Sequence, residues 1–96
     1  MWNVLKFTYS YPGESPIHTK IHAYMHLHEA EATFDHLTLA YQFDAPVRVK
    51  GGKRIKIASV SLYTSFREDR AQAETEVANG GARLIQEAHE IEIDLD

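Results

Sequence analysis

Cysteine is absent from the 96-residue chain, which excludes disulfides and thiolate metal sites. No apolar run approaches the roughly 20 residues a membrane-spanning helix needs. The opening Met-Trp-Asn-Val-Leu-Lys-Phe lacks the charged-then-apolar layout of a signal peptide. Cytoplasm is the expected compartment, with no membrane partner. A Gly-x-Ser-x-Gly elbow, a phosphate-binding glycine loop and a dinucleotide fingerprint are all missing, and Gly51-Gly52-Lys53 is too short for a P-loop. Ser59, Ser61 and Ser65 recur at strand spacing, as exposed or bulge residues do. Nothing here points to nucleophilic catalysis. Repeats, linkers and low-complexity stretches are also lacking.

What is present is an ordinary globular composition, 44% apolar and 25% charged, in a chain long enough for one modest core. The net charge of −4 hides an asymmetry. Residues 1–66 hold seven Lys/Arg and five acids, whereas residues 67–96 hold three Arg and nine acids. Such a division bears on partners and solubility rather than on fold.

Period-2 alternation dominates the first half. Leu5, Phe7, Tyr9 and Tyr11 share one face of a first strand, which Pro12-Gly13-Glu14-Ser15-Pro16 ends. Residues 17–28 alternate again, which predicts a second strand. A helix is its rival, with Ser15 as N-cap, Pro16 in its first turn and no Gly or Pro through residues 17–45. Glu29-Ala30-Glu31-Ala32 favours helix locally. Leu37, Leu39, Tyr41 and Phe43 suggest a further strand, closed by Asp44-Ala45-Pro46. Val47, Val49, Ile55 and Ile57 flank Gly51-Gly52, a hairpin signal. A three-residue loop, Gly51 to Lys53, sets Val49 opposite Ile55 and Val47 opposite Ile57. Past Ile57 the apolar parity flips to Ala58, Val60 and Leu62, which implies a bulge or a strand buried on both faces.

Ser65-Phe66-Arg67-Glu68 matches a capping box and predicts a helix from there. Its stripe of Phe66, Ala73, Val77, Leu84, Ile85 and Ala88 keeps helical phase across Gly80-Gly81. Either Asn79-Gly80 caps one helix before a second, or one helix runs through. Residues 90–96 alternate strictly, as a short terminal strand would. The expected fold is α+β: one domain, an antiparallel sheet of about five to six strands, packed on one C-terminal helix. A homodimer joined at sheet edges also fits.

Three constellations stand out. The first is the acidic end, where Glu90, Glu92, Asp94 and Asp96 would project from one strand face, with Glu87 nearby. An anionic ladder of this kind suits a protein partner with a basic surface, or mimicry of a nucleic-acid strand. Size, acidity and the lack of catalytic motifs resemble those of phage or mobile-element accessory proteins that inhibit nucleic-acid-handling complexes. That association comes from type, not from a residue. A solvated strand paired to basic neighbours explains the same charges.

The second is a basic hairpin of Arg48, Lys50, Lys53, Arg54 and Lys56, a candidate phosphate grip for nucleic acid. No aromatic interleaves it in sequence, which leaves base stacking without support. The same charges would also guard a sheet edge. The third is a zinc site. His26 and His28 form a His-x-His pair, and His36 on a following strand would complete three imidazoles around an open position. The pattern departs from that of cupin barrels, since Glu31 stands too near the pair and no later histidine completes it. A solvent-facing strand carries polar residues in any case. The protein-interaction reading needs no cofactor and ranks ahead of both alternatives.

Overall fold

Alternation in the first strand is realised from Trp2 to Ser10 (β1) in a computed structural model that describes residues 1–90. Six further elements follow: β2 (His18–Tyr24), α1 (Leu27–Gln42), β3 (Val47–Arg48), β4 (Arg54–Ser65), α2 (Arg70–Ala78) and β5 (Arg83–Glu87). The strands form one five-stranded antiparallel sheet in the order β2-β1-β4-β3. β5 joins the same side of β4 as β3, farther along. The α+β class and the antiparallel sheet agree with the sequence. None of the described helices is long and apolar enough to cross a membrane.

The helix content differs from expectation. The second strand stops at Tyr24, and residues 37–43 belong to α1 rather than to a strand. Ala30, Phe34, Leu37 and Ala40 are its buried residues, spaced by three or four as a helix requires. Leu39 and Phe43, which alternation would have buried, are exposed. Good helix formers, Glu29-Ala30-Glu31-Ala32 among them, decide the matter where both periods fit.

Ser65 is not a helix cap. It ends β4, and its hydroxyl accepts from the Arg67 amide and donates to Glu76. Helix α2 starts after Asp69, whose carboxylate accepts from the Gln72 amide. It ends at Asn79, where Gly80 takes a φ of 77° that other residues resist. Leu84, Ile85 and Ala88 do not continue a helix, since the chain returns as β5. The proposed terminal strand at residues 90–96 lies almost wholly outside the described residues.

The parity flip in β4 is a bulge. Thr8 pairs with Ser59 and Tyr9 with Ile57, so Ala58 is the extra residue. That slip turns Ile55, Ile57, Val60 and Leu62 all toward α1, where they pack with Leu5, Phe34 and Leu37. The opposite face meets α2 through Val4, Ala23, Ala73 and Val77. The hairpin register is two residues from expectation: Val47 faces Ile55 and Arg48 faces Arg54. A two-residue slip preserves faces, so Val47 still packs on the α1 core.

Two substitutions test this assignment by urea denaturation. Leu62→Ala should cost about 2–5 kcal/mol as a core truncation. Asp69→Ala should cost about 1 kcal/mol through the lost cap.

Candidate polyanion-binding surface

Charge is sorted by secondary structure. Strands β1 to β4 contain five Lys/Arg (Lys6, Lys20, Arg48, Arg54 and Lys56) and no Asp or Glu. The acids of the described residues stand on the helices, the connecting segments and β5.

Helix α2 is too short to cover its side of the sheet. Nine residues of helix span about 13 Å, whereas the twelve residues of β4 span about 40 Å. Directly opposed residues in antiparallel strands share a face. Beyond α2 the registers therefore line up Ser59 with Thr8 and Thr19, Lys56 with Ser10, and Arg54 with Arg48, while in the row before them, Ser61, Lys6 and Ile21, Ser61 is buried and Ile21 packs against the α2 cluster. Thr19, Ser59, Lys56, Arg54 and Arg48 are exposed, and Lys6, Thr8 and Ser10 are half-buried. Thr8 and Ser59 share a hydroxyl hydrogen bond of 2.5 Å. The result is an uncovered floor of hydroxyls and cations. Lys56 pairs with Asp44 at 3.0 Å, an exposed contact of little strength. Arg48 and Arg54 oppose each other directly, an arrangement that repels in the absence of an anion.

On the other face of the same end, β1 and β2 hold a row of rings beside the hairpin. Tyr9 pairs across to His18, with ring centroids 5.3 Å apart and planes 27° apart. Tyr11 meets Tyr9 edge-on at 5.9 Å and His18 at 5.4 Å. Lys53 Nζ stands 5.5 Å from the Tyr11 ring centre. Sequence spacing separated the basic hairpin from any aromatic. The β1–β4 register, with Ser10 beside Lys56, brings Tyr11 to it. This aromatic row was the feature that linear reading missed. The signal for it lay in the alternation of Phe7, Tyr9 and Tyr11, which are half-buried where they pack against the α1 core.

The imidazole trio depended on strands that do not exist at those positions. His26 precedes α1, and His28 and His36 lie on the helix, about 12 Å apart along its axis. His26 and His28 rings stack at 5.6 Å, and among the described residues no group of three His, Cys, Asp or Glu is placed to hold a metal. Glu87 and Glu90 are exposed, whereas Glu92, Asp94 and Asp96 lie outside the described residues.

The opposite end of the sheet is pinned by ionised side chains. Arg67 Nε donates to Glu76 at 2.6 Å and Ser65 donates to it at 3.1 Å, which holds that carboxyl below the ordinary carboxylate range. Arg70 Nη2 sits 2.9 Å from both ring nitrogens of His22. Burial, then the Arg70 charge, keeps His22 below its ordinary value. Lys20 acts in the same sense as Arg70, while Glu74 opposes them.

Compared with known families, curated proteins and solved structures, the chain matches none.

The two shifts set a pH profile. Unfolded His22 protonates near about 6.5 and unfolded Glu near about 4.3. Both folded values lie lower, so both contributions are complete above the unfolded values and are lost as pH falls through the folded ones. Thermal melts from pH 7.5 to 3.5 should show stability declining first below about 6.5. His22→Phe should flatten that upper limb and leave the lower one in place.

Proposed function

We propose that the protein is a non-enzymatic binding module for a phosphate-bearing polyanion, held at the hairpin end of its sheet. The observation that carries this reading is the exclusively positive charge of β1 to β4 in a protein of net charge −4. Protection of sheet edges against aggregation is the ordinary reason for lysine and arginine on strands. It accounts for Arg54, paired with β3 alone, and for Lys56, paired with β1 alone, but not for Lys6, which has Ile21 on one side and Ser61 on the other. Exposed hydroxyls among those cations supply donors of the kind that contact phosphate oxygens. The opposed Arg48 and Arg54 support the same reading, because a bound anion would relieve their repulsion.

A second reading follows from the same sorting of charge. With the sheet cationic, Glu87 and Glu90 are exposed and the sequence after them carries Glu92, Asp94 and Asp96, a run of acids that suits a protein partner with a basic face. Neutralising Glu87 and Glu90 should leave polyanion binding intact and weaken only capture of such a partner.

The polyanion reading is tested with inorganic polyphosphate by calorimetry across a salt series. Binding should weaken with salt, and Arg54→Ala should lower the slope of log affinity against log salt by about one. Arg54→Glu should raise the melting temperature of the free protein by turning a repelling pair into an attracting one, while reducing polyphosphate affinity. Polyphosphate affinity that is absent, or indifferent to salt and to these changes, would overturn the proposal.

A further inference from the structure

The aromatic row beside the hairpin says more about the ligand, on the premise that the hairpin end does bind a polyanion. Tyr9, Tyr11 and His18 are half-buried: Tyr9 and Tyr11 pack on one side against the α1 core and leave part of each ring exposed. A polyanion gripped only by its charges has no use for rings, whereas nucleic-acid bases stack on them.

The spacing of the rings selects among nucleic acids. Tyr9 and Tyr11 have centroids 5.9 Å apart, and Tyr11 and His18 5.4 Å. Bases stacked in a duplex follow one another at about 3.4 Å along each strand. Successive bases can meet successive rings only where they are unstacked and the strand is extended. Lysines border the row on both sides: Lys53 sits over Tyr11, and Lys20 pairs across from Phe7, whose ring is 5.7 Å from that of Tyr9. Cations flanking a run of rings match the way a single strand is held, with the backbone tracked by charge and the bases by stacking.

We infer that the ligand is single-stranded nucleic acid, with unstacked bases laid on Tyr11, His18 and Tyr9 and phosphates held by Lys53 and Lys20 on the same face. The inference needs no base-specific hydrogen bonds and implies tolerance of sequence.

Three fluorescent probes of closely matched charge test it on the full chain by anisotropy: a 20-nucleotide oligo(dT), an abasic strand of the same length, and a ten-base-pair duplex. Oligo(dT) should bind at least about fivefold more tightly than either of the others, the effect of one stacked base. Tyr11→Leu should remove that advantage, while Tyr11→Phe should keep it, because stacking uses the ring and not the hydroxyl. Should Tyr11→Leu fail to fold, the comparison of oligo(dT) with the abasic strand on the unaltered protein decides alone. Equal affinity for all three probes would overturn the single-strand inference and leave the polyanion reading standing. No binding of any probe or of polyphosphate would overturn both.

Discussion

The extra residue in β4 is the constraint on which the rest of the structure depends. Ile55 and Ile57 have one parity, Val60 and Leu62 the other, and a regular strand would send one pair to each face. With Ala58 bulged out, all four meet α1 and are buried. The complementary set, Lys56, Ser59 and Ser61, then falls on the far face together with Lys6, Thr8 and Ser10 of β1. A single backbone irregularity thus concentrates the apolar side chains of the longest strand under one helix and its polar side chains on the other side.

The second helix completes this division without closing it. Ala73 and Val77 give α2 only enough apolar surface to cover Val4 and Ala23, at the end of the sheet where Trp2 donates to the Glu68 carbonyl. Around it Ser65 with Glu76 and Arg70 with His22 tie helix to strands, Arg67 pairs with Glu76 from the connecting segment, and Arg70 pairs with Glu74 within the helix. One end of the sheet is locked by ionised groups that have partners. The other end displays cations, hydroxyls and rings.

Much of this was open to reading from residues alone, and the failures share a cause. The parity flip after Ile57 announced either a bulge or a strand buried on both faces, and the pairing of Thr8 with Ser59 and Tyr9 with Ile57 is the bulge. The glycines of the hairpin and Asn79-Gly80 marked real turns. Residues 27–43 were misread because Leu37 and Tyr41, four apart, satisfy both a strand and a helix, and only tertiary burial shows that Leu39 and Phe43 are exposed. The imidazole trio fell with that misreading. The hairpin register slipped by two, a shift that apolar patterning cannot detect since it leaves every side chain on its own face. The aromatic row escaped notice for a different reason. Tyr11 and Lys53 are far apart in the chain and become neighbours only through the β1–β4 pairing, a long-range contact that local periodicity does not contain.

The hairpin is held unlike the floor beside it. β3 pairs with β4 through two residues, Val47 and Arg48, extended by one bond from the Val49 amide to the Lys53 carbonyl. β1 is bonded along its length on both sides. Amide protons at the arm should exchange with solvent through small local openings, while those beneath the rings wait for global unfolding. The molecule thus joins a pliant cationic arm to a stiff sheet, a combination that in the proposed complex would let the arm follow an irregular chain of charges without disturbing the surface beneath it.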